Sequence, residues 1–228
     1  METFGTPLSI VGCTMKKKEK KMYTLLLLLI YLAFISLGLP DSLLGSAWPV
    51  MHEAFQVPLS YAGLVTMIIS GGTICSSLMS ERLTKKFGTQ IVTVFSVMLT
   101  AIALFGFSTA SAFWMLCLWA IPYGLGAGAI DAALNNYVAL HYNSRHMSWL
   151  HCFWGLGTII SPYVMSYALT TSVWQNGYRM VSFIQIGIAL ILFVTLPIWK
   201  VNKKETAQEE KAEEEMVGIK GALKIKGV

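Results

Sequence analysis

The stretch that decides the fold runs from Leu59 to Ala110: LSYAGLVTMIISGGTICSSLMS (59–80), ERLTKKFGT (81–89), QIVTVFSVMLTAIALFGFSTA (90–110). Neither outer part carries an acid or a base, and the short middle carries Glu81, Arg82, Lys85 and Lys86. A helix that crosses a bilayer needs about 20 mostly apolar residues. Lipid offers the backbone no hydrogen bonds, so the chain must satisfy its own. The stretch therefore reads as two membrane helices joined by a basic turn. The same pattern continues in both directions. Apolar segments run from Tyr23 to Gly38 and onward to about Val50, from Leu59 to Ser80, and from Gln90 to Ala110. Three more run from Phe113 to Leu140, from Met147 to Leu169 and from Arg179 to Trp199.

Composition agrees. Of the 228 residues, 55% are hydrophobic and 13% charged, about half the charged share of a soluble domain. Six spans use most of this length, so a separate soluble domain does not fit. The net charge of +5 does not point to nucleic acid, because the bases sit in short clusters between apolar segments. Lys16, Lys17, Lys18, Lys20 and Lys21 precede the first span, and Arg82, Lys85 and Lys86 lie between the second and third. Arg145 lies between the fourth and fifth, and Lys200, Lys203, Lys204, Lys211, Lys220, Lys224 and Lys226 follow the sixth. With six spans, all these bases share one side, and Arg179 alone faces the other. Positive loops stay in the cytoplasm, so both termini are expected there, with the chain in the plasma membrane. The expected organisation is a basic N-terminal segment (1–21), a six-helix bundle (22–199) and a charged cytoplasmic tail (200–228).

The tail interleaves Glu209, Glu210, Glu213, Glu214 and Glu215 with lysines, as a solvated segment does. Its last residues, Ile219 to Val228, are weakly basic and amphipathic, of the kind that leads into another membrane segment. Met15 is an alternative start. A secretory signal is a poor reading of the first segment, because its apolar stretch is too long and no small-x-small cleavage site follows. Cys13, Cys75, Cys117 and Cys152 are scattered singly, without metal-type spacing. No phosphate-binding loop occurs, and the glycines of the fourth segment follow no strand. No metal, cofactor, ATP-driven step or soluble-enzyme chemistry is expected.

Several motifs carry a family resemblance. The loop from Ser80 to Gln90 resembles the signature Gly-x-Leu-x-Asp-Arg-x-Gly-Arg-Arg of the major facilitator superfamily, with Leu83, Lys86 and Gly88 in place. Lys85 stands where that pattern has Asp, and Glu81 where it has its first Gly. The stretch GLPDSLLGSAWP (38–49) resembles the first helix of fucose-permease-like members. GLGAGAIDAALNN (124–136) resembles their fourth helix, LHCFWGLGTIISP (150–162) their fifth, and Trp174 to Arg179 the start of the sixth. The resemblance covers residues 22 to 200. It implies an all-α half-bundle, the N-terminal half of a twelve-helix transporter, with solute bound near the midplane between two halves. A second six-helix half is then expected as a partner: the same gene continued, a separate chain or a homodimer.

Two aspartates, Asp41 and Asp131, lie in apolar segments. A carboxylate at mid-bilayer costs at least about 2.5 kcal/mol, so such residues usually face a cavity. Plainer readings are that Pro40 ends the first helix with Asp41 as its cap, and that Asp131 marks the cytoplasmic end of the fourth. Asp131 and Asn135 are four apart and share a face, near Gly124 and Gly128. Asp41, Gly45 and Trp48 are spaced in the same way. Carboxylates accept hydrogen bonds from sugar hydroxyls, and Asn both donates and accepts. Trp48 or Trp154 could stack on the apolar face of a sugar. A carboxylate that alternates between wet and dry surroundings takes up and releases a proton, which makes Asp131 the candidate for proton coupling. His151, on a face with Gly155, Thr158 and Pro162, is a candidate hydrogen-bonder or relay, or else a packed interfacial histidine. Gln185 on the sixth helix has the same two readings. His52, His141 and His146 sit at helix ends and receive no role. Pro122 and Pro162 either kink their helices or simply pack, and the clusters at Ser70–Gly72 and Gly124–Gly128 read as close helix contacts.

The expected function is secondary transport of a sugar or similar small polar solute with protons. The rivals are a drug-efflux antiporter of the same superfamily, and a truncated, non-transporting fragment or subunit.

Overall fold

The computed structural model describes residues 8–197 and 199, with side chains from Met22 onward. The tail from 200, both candidate starts as side chains, Cys13 and the lysines at 16–21 lie outside the described side chains. The chain divides into two compact units, residues 27–194 and residues 1–26 with 195–228. Everything below concerns the first.

Helix α1 (Leu8–Asp41) and α2 (Leu43–Ala54) together form the first span, Met22–Ala54. They are separated only at Ser42, which has φ −94° and ψ −5°. Pro40 lies in the last turn of α1; it has no N–H to give, and helices break beside such residues. The apolar run nevertheless continues, so the chain resumes as α2 within the same span. Asp41 is thus both the end of a helix and a mid-span residue.

A 3-10 turn at Leu59–Tyr61 leads into α3 (Ala62–Phe87), followed by α4 (Thr89–Thr109), α5 (Phe113–His141), α6 (Ser144–Thr171) and α7 (Trp174–Val194). Six helices are long and apolar enough to cross a membrane, and no strand occurs among the described residues. Helices α5 and α6 run unbroken through Pro122 and Pro162. The last span begins at Trp174, earlier than Arg179. Trp174, Gly177 and Tyr178 are core residues, and exposed Arg179 sits inside α7 donating to Asn176 Oδ1 at 3.3 Å. A long base snorkels from within a helix, so its charge does not mark a boundary.

Helix α4 is innermost, packed between α5 and α7; α3 lies on α5, and α6 lies against α7 and α2. Burial follows: 61% of the α4 span is buried, against 11% of the α3 span. Lipid gives apolar helices no reason to leave it, so association rests on close packing and interhelical hydrogen bonds. Glycines supply the first. A Cβ on Gly124 or Gly128 of α5 would strike the carbonyls of Ile69 and Thr73 on α3. A Cβ on Gly38 of α1 would strike the Trp154 carbonyl of α6, and one on Gly157 would press on that of Ile35. Gly72 and Gly126 are likewise in close contact, whereas Gly71 is open. Hydroxyls supply the second. Thr73, Ser76, Ser77 and Ser80 of α3 donate to the carbonyls of Gly124, Leu125, Gly128 and Ala129 of α5. This row of bonds runs along one face of α3 and fixes its register on α5.

Candidate functional site

With α3 locked to α5 and α1 to α6, the four helices leave a cavity of about 320 Å³ between them. Phe34, Leu37 and Asp41 face it from α1, Ile69 and Thr73 from α3, Tyr123, Ala127 and Asp131 from α5, and His151 and Trp154 from α6. These spacings of three and four are one helical face each. Both sequence-predicted aspartates therefore line one space.

Asp41 is held on both carboxylate oxygens. Tyr123 donates its hydroxyl to Oδ1 at 3.0 Å, and Trp154 donates Nε1 to Oδ2 at 2.9 Å. One donor comes from α5 and the other from α6, so the aspartate joins three helices. Asp131 is held more loosely: Asn135 Nδ2 on its own helix donates to Oδ1 at 3.0 Å. Asn135 does not line the cavity but supports Asp131 from one turn behind, and its own Oδ1 is buried without a protein partner. His151 is exposed to the cavity and meets the Phe34 ring edge-on at 6.2 Å.

A second cavity of about 180 Å³ lies on the other side of Asp41, lined in part by Leu44, Thr66, Leu104, Phe107 and Tyr178. The two share Asp41, Ile69 and Tyr123. The first reaches toward the end bearing the basic loops and the second toward the opposite end. The Asp41–Tyr123 hydrogen bond thus stands between two cavities along the axis of the bundle.

Two further expected site residues lie outside this cavity. Trp48 is 4% exposed, donates Nε1 to the Leu59 carbonyl at 2.7 Å and packs on Phe113. The break at Ser42 and the hydrogen bond to the Leu59 carbonyl hold it in the core, so it is not placed to stack on a solute. Gln185 is 1% exposed and donates Nε2 to the Ser36 carbonyl at 2.6 Å. That carbonyl is the one whose helical partner would be the N–H of residue 40, which proline lacks. Gln185 mends the break in α1. Of the histidines left without a role, His146 Nδ1 lies 2.9 Å from Tyr31 OH and ties α6 to α1. Sequence reasoning misses Tyr123, Phe34 and Thr73. Tyr123 has a signal, since it stands eight residues before Asp131 on the same face.

In the basic loop, Glu81 and Lys85 form an exposed pair at 2.6 Å one turn apart on α3. Water screens so exposed a pair, and it adds little to stability. Gly88, with φ +88°, ends α3 in a conformation that other residues rarely adopt. Arg82 and Lys86 are exposed on the same stretch.

The sequence model of the Major Facilitator Superfamily matches residues 30–226. The chain is 24% identical over 163 residues to "Bypass of stop codon protein 6" of Saccharomyces cerevisiae, covering 70% of this chain and 33% of that protein. It is 22% identical over 182 residues to "Glucose/mannose transporter GlcP" of Bacillus subtilis, covering 78% of this chain and 44% of that one. The chain therefore spans less than half the length of these curated relatives.

Proposed function

The chain belongs to the Major Facilitator Superfamily, an integral multi-pass membrane protein, and we propose that it is one six-helix half of a proton-coupled sugar transporter. The observation that carries this reading is the cavity that joins two intramembrane carboxylates, Asp41 and Asp131, from helices far apart in sequence. Carboxylates at that depth are costly and are retained for transport or proton transfer. A space of about 320 Å³ is at the lower end of small-ligand sites. The name of the Bacillus subtilis relative, a glucose/mannose transporter, points the same way.

The roles divide by geometry. Asp41, oriented by Tyr123 and Trp154, presents its remaining lone pairs to solute hydroxyls. The Trp154 ring, 38% exposed, offers an aromatic face to a pyranose. Asp131 has one local hydrogen bond and shares the cavity with His151, so it carries the proton. Solute passing between the two cavities disturbs the Asp41–Tyr123 bond. Asp41, Trp154 and His151 are exposed on the cavity face. A second six-helix half covers that face in the working transporter, with both termini of this chain on the cytoplasmic side of the plasma membrane.

The test is uptake of labelled hexoses into cells that express the chain alone or together with a second half. Accumulation against a gradient that needs the second half, and that Asp131→Asn abolishes while sugar exchange persists, supports the reading. Uptake by a verified monomer of this chain, or efflux of apolar cations instead of hexose uptake, overturns it.

A further inference from the structure

At the basic end of the bundle, Gly88 turns α3 directly into α4. Beside this turn lies a groove of about 330 Å³, lined by Leu83 and Phe87 from α3 and Ile91, Val92, Phe95 and Ser96 from α4. It is an open surface feature, since Phe87, Ile91 and Phe95 are 48%, 45% and 71% exposed. Five of its six lining residues are apolar, so it suits an acyl chain. The charge at its rim makes it more than ordinary lipid-facing surface. Leu83 and Phe87 are four apart on α3, and so are Arg82 and Lys86, one residue earlier in each case. An apolar stripe and a cationic stripe therefore run side by side along the last turns of α3. Lys86 Nζ lies 5.3 Å from the centroid of the Phe87 ring, whose side chain lines the groove. Lys85 is occupied by Glu81. Among the described residues, Arg82 and Lys86 have no carboxylate partner, so this end of α3 carries two uncompensated charges.

We propose that this groove, with Lys86 and Arg82 at its mouth, is a binding site for an anionic phospholipid. One acyl chain lies along Phe87, Ile91 and Phe95, and the headgroup phosphate meets Lys86 and Arg82. A zwitterionic lipid fits the groove equally well but brings its own cation against theirs. The bound lipid braces the α3–α4 turn at the membrane surface.

Native mass spectrometry of the detergent-purified full chain, with equimolar phosphatidylglycerol and phosphatidylcholine, tests this. Phosphatidylglycerol is retained over phosphatidylcholine about fivefold or more, and Lys86→Gln lowers that preference about fivefold, the effect of one interfacial cation. Arg145→Gln changes the net charge equally in another loop and leaves the preference intact. Ile91→Trp fills the groove from an exposed position and lowers retention of both lipids. Glycerol phosphate at matched concentration does not displace the lipid. Equal retention of the two lipids in the wild-type chain overturns the proposal. So does an Arg145→Gln effect as large as that of Lys86→Gln, or displacement by glycerol phosphate.

Discussion

Asp41 and Asp131 are reached by the same local device and end in different surroundings. Each stands three residues after a glycine whose missing Cβ lets another helix in: Gly38 against the Trp154 carbonyl, Gly128 against the Thr73 carbonyl. One turn later each carboxylate reaches the same cavity. There the likeness stops. Asp41 is clamped by donors from two other helices, Asp131 by an amide on its own. A carboxylate that joins three helices is a fixed recognition point. One held only locally is free to exchange its partner for a proton. The two halves of the bundle thus use one packing solution and two degrees of restraint.

The largest effect tests the shared device. Gly38→Val and Gly128→Val each set a side chain against a backbone carbonyl that cannot yield, and each lowers stability by about 3 kcal/mol. Thermal unfolding in detergent, followed by tryptophan fluorescence, measures it. Gly45, where a Cβ would meet nothing within 4 Å, is the control, and Gly45→Ala changes little. A large loss at only one of the two glycines breaks the parallel. Next come the carboxylates in the assembled transporter. Asp41→Asn weakens solute binding about tenfold, in line with losing charged hydrogen bonds of about 1.5–3 kcal/mol. Asp131→Asn leaves binding within about twofold and flattens the pH profile of uptake. Exchange of these two phenotypes reverses the assigned roles. Tyr123→Phe removes one of the two donors to Asp41 and costs about 1.5 kcal/mol of stability. Asn135→Ala removes a contact within one helix and costs about 0.5 kcal/mol or less. If the last two changes cost the same, Asp41 is no more restrained than Asp131.

The number of spans and the two aspartates are readable because lipid imposes a coarse, long-range rule on composition. Twenty or so apolar residues and a buried carboxylate stand out without any knowledge of neighbours. The continuation of the first span past Pro40 is readable for the same reason, since Leu43 to Val50 stays apolar. What fails depends on neighbours. Trp48 shares a nominal face with Asp41, but the break at Ser42 and the carbonyl of Leu59 decide where it points. Gln185 resembles a cavity residue until the carbonyl freed by Pro40 is placed beside it. Arg179 reads as a boundary because its charge is visible in sequence and its snorkelling is not. Tyr123 lies on the periodic face of Asp131 and escapes notice only because a tyrosine among apolar residues is common.

The bond between Gln185 and Ser36 has a mechanical consequence. Proline opens a joint in the first span, and a side chain from the last span, 149 residues away, closes it. In lipid no solvent stands ready to take that carbonyl if the amide withdraws. Bending the first span or rolling the helix that carries Gln185 so that the two part at this point leaves the carbonyl without its partner.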